Sequence, residues 1–142
     1  MGFFTLDMAR LAGPSGRVVA IDIQQKMISA LKWRARRAGL GERIETRLCP
    51  PDGLGAGDLA GRVDLACAFY VVHEVPDARS FLTEMYSLLV PGGRFFIAEP
   101  KGHVSEEEFE ESIALARTAG FEVLERPEIG RSRNVLLGKG GA

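Results

Sequence analysis

Cysteine is scarce in this chain of 142 residues: there are only two, Cys49 and Cys67, and they form no CxxC pair. Two thiols cannot build a disulfide scaffold, and reduced side chains in a cytoplasmic protein are the expectation. A surplus of either charge is also missing. Eighteen basic residues against nineteen acidic ones leave a net charge of −1. That balance excludes a strong basic footprint for nucleic acid and a polyacidic tail. Long hydrophobic runs are absent too. The longest, Leu65 to Val72, falls far short of the roughly 20 residues that span a bilayer. The first residues lack a basic segment, and Asp7 and Arg10 interrupt any apolar stretch. No targeting segment and no membrane partner are expected.

What is present fits one soluble domain over residues 1–142. Apolar residues make up 46% and charged residues 26% of the chain. A chain of this length can bury about 70% of its unfolded surface. Glycine is the one excess, at 17 residues, and falls between apolar runs as tight connections do.

The apolar pattern switches period along the chain. Phe4, Met8, Leu11 and Ala12 sit at helical spacing before Gly13-Pro14. Arg17–Asp22 reads as a short buried strand. Gln24–Ala38 reads as a helix with Met27, Leu31, Ala35 and Ala38 on one face, ended by Gly39. Ile44–Leu48 is a second strand, and 50–61 a Pro/Gly/Asp-rich loop. Val63–Tyr70 is a third strand, apolar enough for burial on both faces. Pro76-Asp77 opens a helix striped with Phe81, Leu82, Met85 and Leu88, stopped by Pro91-Gly92-Gly93. Arg94–Glu99 is a fourth strand. Ser105 and Glu108 make a capping box for a helix that ends at Gly120. Strands at 121–125 and 134–138 close the chain. Alternating strands and helices imply an α/β fold: a Rossmann-like, mostly parallel sheet with helices on both faces and an antiparallel last strand.

Such sheets bind ligands at the carboxyl ends of their strands. The informative residues are therefore Asp22, Cys49 to Asp52, Phe69 to Glu74 and Glu99 to His103. An acid ending the second strand of a nucleotide-binding unit accepts hydrogen bonds from ribose hydroxyls, about 20 residues past a glycine-rich turn. Gly2 and Asp22 have that separation. The alternative is that Asp22 only caps the following helix.

Gly2-Phe-Phe-Thr-Leu, Val19-Ala-Ile-Asp22, Leu89-Val-Pro-Gly-Gly-Arg-Phe-Phe-Ile97 and the closing strand pair resemble class I S-adenosylmethionine-dependent methyltransferases. Tyr70-Val-Val-His-Glu-Val-Pro-Asp77 resembles the branch that methylates small molecules. The resemblance implies S-adenosylmethionine as cofactor and a small-molecule acceptor, with a homo-oligomer left open. It matches Gly2 to the last glycine of the cofactor loop, Asp22 to the ribose acid and Ile23 to the residue packing on adenine. Cys49, Pro50 and Asp52 fall where the family often places an adenine-contacting acid, and Phe69 ends the strand beside the cofactor. The family's first strand and most of its glycine loop have no counterpart here. That strand is central, so its loss is expected to open a gap in the ladder or force re-pairing. An N-terminally truncated domain with weak cofactor binding and little turnover is the expectation.

His73-Glu74 begins like the HExxH zinc motif, but position 77 is Asp and Pro76 breaks the helix the motif needs. No metal site is expected, and Cys49, His73 and His103 read as polar loop residues. His73 is the candidate catalytic, substrate-facing group. The basic run Lys32, Arg34, Arg36 and Arg37 reads as a solvated helix end. Two other readings stand beside methyl transfer: a nicotinamide-dependent oxidoreductase, which the Gly2–Asp22 spacing also suits, and a cofactor-free binding or assembly module.

Overall fold

A computed structural model describes residues 3–141, with side chains from Thr5 onward. Gly2 lies outside the described residues. The chain divides into two compact units, one running to Gly55 and the other starting at Ala56.

The smaller unit contains α1 (Phe3–Ala12), β1 (Val18–Asp22), α2 (Gln25–Arg37) and β2 (Ile44–Leu48). β1 and β2 pair in parallel, with Val18 opposite Ile44 and Asp22 opposite Leu48. Ala9, Val18, Ala20, Leu31, Ala35, Leu40 and Ile44 form one apolar cluster. The stripe expected on α1 is therefore rotated: Ala9 is fully buried, whereas Leu11 is 88% exposed. On α2, Ile28 rather than Met27 joins Leu31 and Ala35 inside. This helix ends in a Schellman motif. Gly39 adopts φ 73° and donates to the Arg36 carbonyl, and Leu40 donates to the Ala35 carbonyl. Only glycine takes that left-handed position without penalty, and the chain turns there to bury Leu40. The basic residues Lys32, Arg36 and Arg37 lie exposed, and Arg37 stacks on the exposed Trp33 ring.

The larger unit contains β3 (Val63–Phe69), α3 (Ala78–Leu88), β4 (Leu89–Pro100), α4 (Glu106–Ala119), β5 (Glu122–Glu125) and β6 (Ser132–Gly138). Its sheet has the order β3-β4-β6-β5. β3 and β4 run parallel, while β6 is antiparallel to both β4 and β5. The last strand thus has the expected direction. Among the described residues β1 pairs only with β2, and β3 only with β4.

Phe95 is fully buried in β4, with Ala66 beside it on β3 and Leu137 on β6. Its ring meets Phe81 of α3 and Phe121, the residue following Gly120. Burial of β3 on both faces does not hold. Ala66 and Ala68 are buried, but Leu65 is 54% exposed and Cys67 and Phe69 are half-buried. The alternating set is the less covered one, as period-2 side chains require when the two faces differ. Pro91-Gly92-Gly93 does more than stop α3. The strand begins at Leu89, and the β3–β4 register skips from Leu89 to Arg94, so these three residues and Val90 form a bulge inside β4. A Cβ on Gly93 would lie 2.8 Å from the Val90 carbonyl oxygen. Lys139 closes the same corner by donating to the Tyr86 and Leu89 carbonyls at the end of α3, the favourable end for a cation.

Ser105 and Glu108 form the expected capping box at the start of α4. The Ser105 backbone N–H and hydroxyl hold the Glu108 carboxyl below the usual range. No helix among the described residues is long and apolar enough to cross a membrane.

Candidate functional site

In the smaller unit, β1 and β2 deliver their last residues side by side. The Cys49 N–H donates to the Asp22 carbonyl at 2.8 Å, which extends the ladder by one step. One Asp22 carboxylate oxygen accepts the Gln24 N–H at 2.8 Å. Gln24 is itself the residue before the first turn of α2, and no side chain caps that helix. Asp22 therefore does not cap α2. Its carboxylate is oriented by the bend and keeps its second oxygen available. Ile23 is 73% exposed and Leu48, opposite Asp22, is 51% exposed. Two bare aliphatic side chains next to an oriented carboxylate are an uneconomical arrangement for a protein surface and a suitable one for a nucleoside.

The loop after β2 is held by Cys49, whose thiol donates to the Gly53 carbonyl at 2.9 Å. Pro50 packs where a side chain on Gly55 would clash. Asp52 is exposed in the turn. The smaller unit thus brings Asp22, Ile23, Cys49, Pro50 and Asp52 to one end of its two strands.

In the larger unit, Phe69 ends β3 and His73 lies in the tight turn that follows. Phe69 meets Phe96 with ring centroids 5.9 Å apart. Tyr70 then adopts φ 61°, a left-handed conformation that costs a non-glycine residue about 1–3 kcal/mol. Its N–H still donates to the Ala98 carbonyl, so the reversal happens one residue past the ladder. The reversal leads Val72–Glu74 into a single 3-10 turn. That turn sits over Glu99, which is 2% exposed. One Glu99 oxygen accepts the Val72 N–H at 2.8 Å, and the other bonds His73 Nδ1. The His73 side chain remains 25% exposed, with Nε2 3.7 Å from the exposed Glu74 carboxylate.

Sequence reasoning marks Glu99 only as a strand end and gives it no role. The signal was there: Phe95, Ile97 and Glu99 alternate, which puts the carboxylate on the buried face of β4. A buried carboxylate persists only with partners. His103, by contrast, is exposed in the turn after β4. Among the described residues, no group of three His, Cys, Asp or Glu side chains is placed to hold a metal ion.

Cys67 faces partly inward, and burial pushes its thiol pKa up. Less thiolate forms at a given pH, and the thiolate is the nucleophile. Folded protein should therefore alkylate slowly at Cys67 with iodoacetamide, the rate climbing only at alkaline pH. Peptide mass mapping reads this directly; labelling at the speed of a free thiol near neutrality would contradict it.

Comparisons with known proteins bear on the family and the fold. A family profile described as a methyltransferase domain matches residues 1–128. The demethylmenaquinone methyltransferase of Lactobacillus johnsonii is 31% identical over 98 residues, covering 69% of this chain and 39% of that protein. A ubiquinone/menaquinone biosynthesis C-methyltransferase, UbiE of Hahella chejuensis, is 32% identical over the same length, again covering 69% of this chain and 39% of that protein. The chain thus spans about two fifths of the length of these relatives. Among solved structures, an S-adenosylmethionine-dependent methyltransferase from Aquifex aeolicus superposes with a TM-score of 0.83 at 22% identity, covering 96% of this chain and 76% of that one. The [4+2]-cyclase SpnF superposes at 0.81 with 15% identity, covering 99% and 72%. A cyclase among such neighbours means that the superpositions speak for fold alone. The profile match speaks for more: the chain belongs to the methyltransferase-domain family.

Proposed function

We propose that the protein transfers a methyl group from S-adenosylmethionine to a small-molecule acceptor. The observation that carries this reading is the end of β1 and β2. Asp22 offers an oriented carboxylate oxygen for ribose hydroxyls, and Ile23 and Leu48 offer bare aliphatic surface for a purine. The residues present fit the adenosine portion of such a cofactor. Cys49, Pro50 and Asp52 are assigned to the adenine edge.

When bound, the cofactor supplies a methyl group already made electrophilic by a sulfonium. The protein's task is then alignment more than acid–base chemistry. This suits a chain in which one histidine, His73, is the candidate group for the acceptor. Relatives named for demethylmenaquinone methylation and for C-methylation in ubiquinone and menaquinone biosynthesis support an acceptor of that general kind.

Calorimetric titration with S-adenosylhomocysteine and with NADH tests the reading. A saturable heat with the first and none with the second is expected, and His73→Ala should leave the affinity for S-adenosylhomocysteine unchanged. Binding of NADH in preference, or of neither ligand, would overturn it.

A further inference from the structure

We propose that Glu99 is a positioning residue that locks the proton of the neutral His73 ring on Nδ1, leaving the Nε2 lone pair to accept a proton from a neutral methyl acceptor. The proposal rests on the methyl-transfer reading above and narrows its substrate class.

An ionised carboxylate has no proton to give, so both of its contacts here must be accepted bonds. The Val72 N–H fills one oxygen. His73 Nδ1 faces the other, and it must carry its hydrogen to make that bond. With one proton per neutral imidazole, Nε2 is then the acceptor atom. Glu99 cannot turn away, since it is 2% exposed and held at both oxygens. Two other carboxylates face the ring. Glu74 lies 3.7 Å from Nε2, beyond a hydrogen bond, and its side chain is 72% exposed. Glu108, tied into its capping box, senses the ring only through charge. Neither fixes the tautomer. The left-handed Tyr70 is what brings the 3-10 turn to this position, and backbone strain of that kind is typical of functional segments.

The tautomer has a chemical consequence. A thiolate or another acceptor that is already anionic needs no base. A neutral hydroxyl, phenol or activated C–H acceptor does. When a neutral acceptor is methylated its own proton must leave, and His73 Nε2 offers the lone pair that takes it. The sulfonium donor departs as a neutral thioether, so the positive charge goes with that proton to the imidazole, which the buried Glu99 carboxylate already contacts.

Glu99→Gln makes the tautomer testable without any cofactor. The Val72 N–H compels the glutamine to present its carbonyl oxygen there, so its NH2 must face His73 Nδ1. That donor forces the proton to Nε2. The chain has only two histidines, so nitrogen-15 imidazole spectra at about pH 8, above the ordinary histidine range near 6.5, resolve both. The expected result is an Nδ1–H ring for His73 in the natural protein, an Nε2–H ring in Glu99→Gln, and an unchanged His103. An Nε2–H ring in the natural protein would overturn the proposal, as would the same tautomer in both proteins. If the variant fails to fold, the natural protein's spectrum still decides. A correct tautomer with no binding of S-adenosylhomocysteine would remove the methyl-transfer reading and leave the His73–Glu99 pair standing.

Discussion

Replacing Phe95 with alanine should destabilise the larger unit by about 3–5 kcal/mol, the range for a fully buried phenylalanine. The ring has no solvent exposure. It stands 6.3 Å from the Phe81 ring and 5.7 Å from the Phe121 ring, both in tilted pairs. Alanine therefore removes the transfer free energy of the side chain, leaves a cavity, and breaks two aromatic contacts at once. Neighbouring β3 offers only Ala66 and Ala68 on that face, so little side-chain volume can move in to fill the space. Since whole domains are stable by only about 5–15 kcal/mol, a large drop in the urea midpoint by circular dichroism is expected. A loss under about 1 kcal/mol would show that Phe95 is not the centre of this core.

Asp22→Ala should weaken S-adenosylhomocysteine binding by about 1.5–3 kcal/mol, the cost of losing hydrogen bonds to a charged acceptor. That is a factor of roughly 10 to 150 in Kd. The bond from the Gln24 N–H holds the carboxylate in place before any ligand arrives, so little ordering cost offsets the gain on binding. Asp22→Asn separates charge from geometry: it can keep an oxygen toward Gln24 while losing the negative charge. Its affinity should fall between those of the natural protein and Asp22→Ala. Unchanged affinity in Asp22→Ala with the fold intact would remove this residue from the site.

Much of this arrangement was legible in the sequence because the period of the apolar pattern changes sharply at each boundary. β2 occupies the expected Ile44–Leu48, and the box of Ser105 and Glu108 opens α4 as read. Features set by tertiary packing were less legible. Nothing local distinguishes Leu11 from the other apolar residues of α1, and its exposure depends on which side β1 occupies. Leu65 likewise sits in an apolar run whose two faces are unequally covered. Pro91-Gly92-Gly93 has the composition of a stop signal, yet pairing with β3 and Lys139 draws it into β4 as a bulge.

The site divides in the same way. Strand ends are readable, so Asp22, Cys49 and His73 stand out as candidates, and the family resemblance adds Ile23. The reversal at Tyr70 was not, because a tyrosine gives no local signal for a left-handed backbone. Without that reversal His73 has no visible partner. Glu99 was noticed as a strand end, but its role depends on a turn 26 residues earlier.

The most direct measurement is amide chemical-shift mapping with S-adenosylhomocysteine, which reads even weak binding residue by residue. The amides of Asp22, Ile23, Leu48 and Cys49 should move together and saturate, with NADH producing no such pattern. Saturating shifts confined to other residues, with the amides from Asp22 to Gln24 and from Leu48 to Asp52 unmoved, would contradict the assignment of the β1–β2 end as the cofactor site.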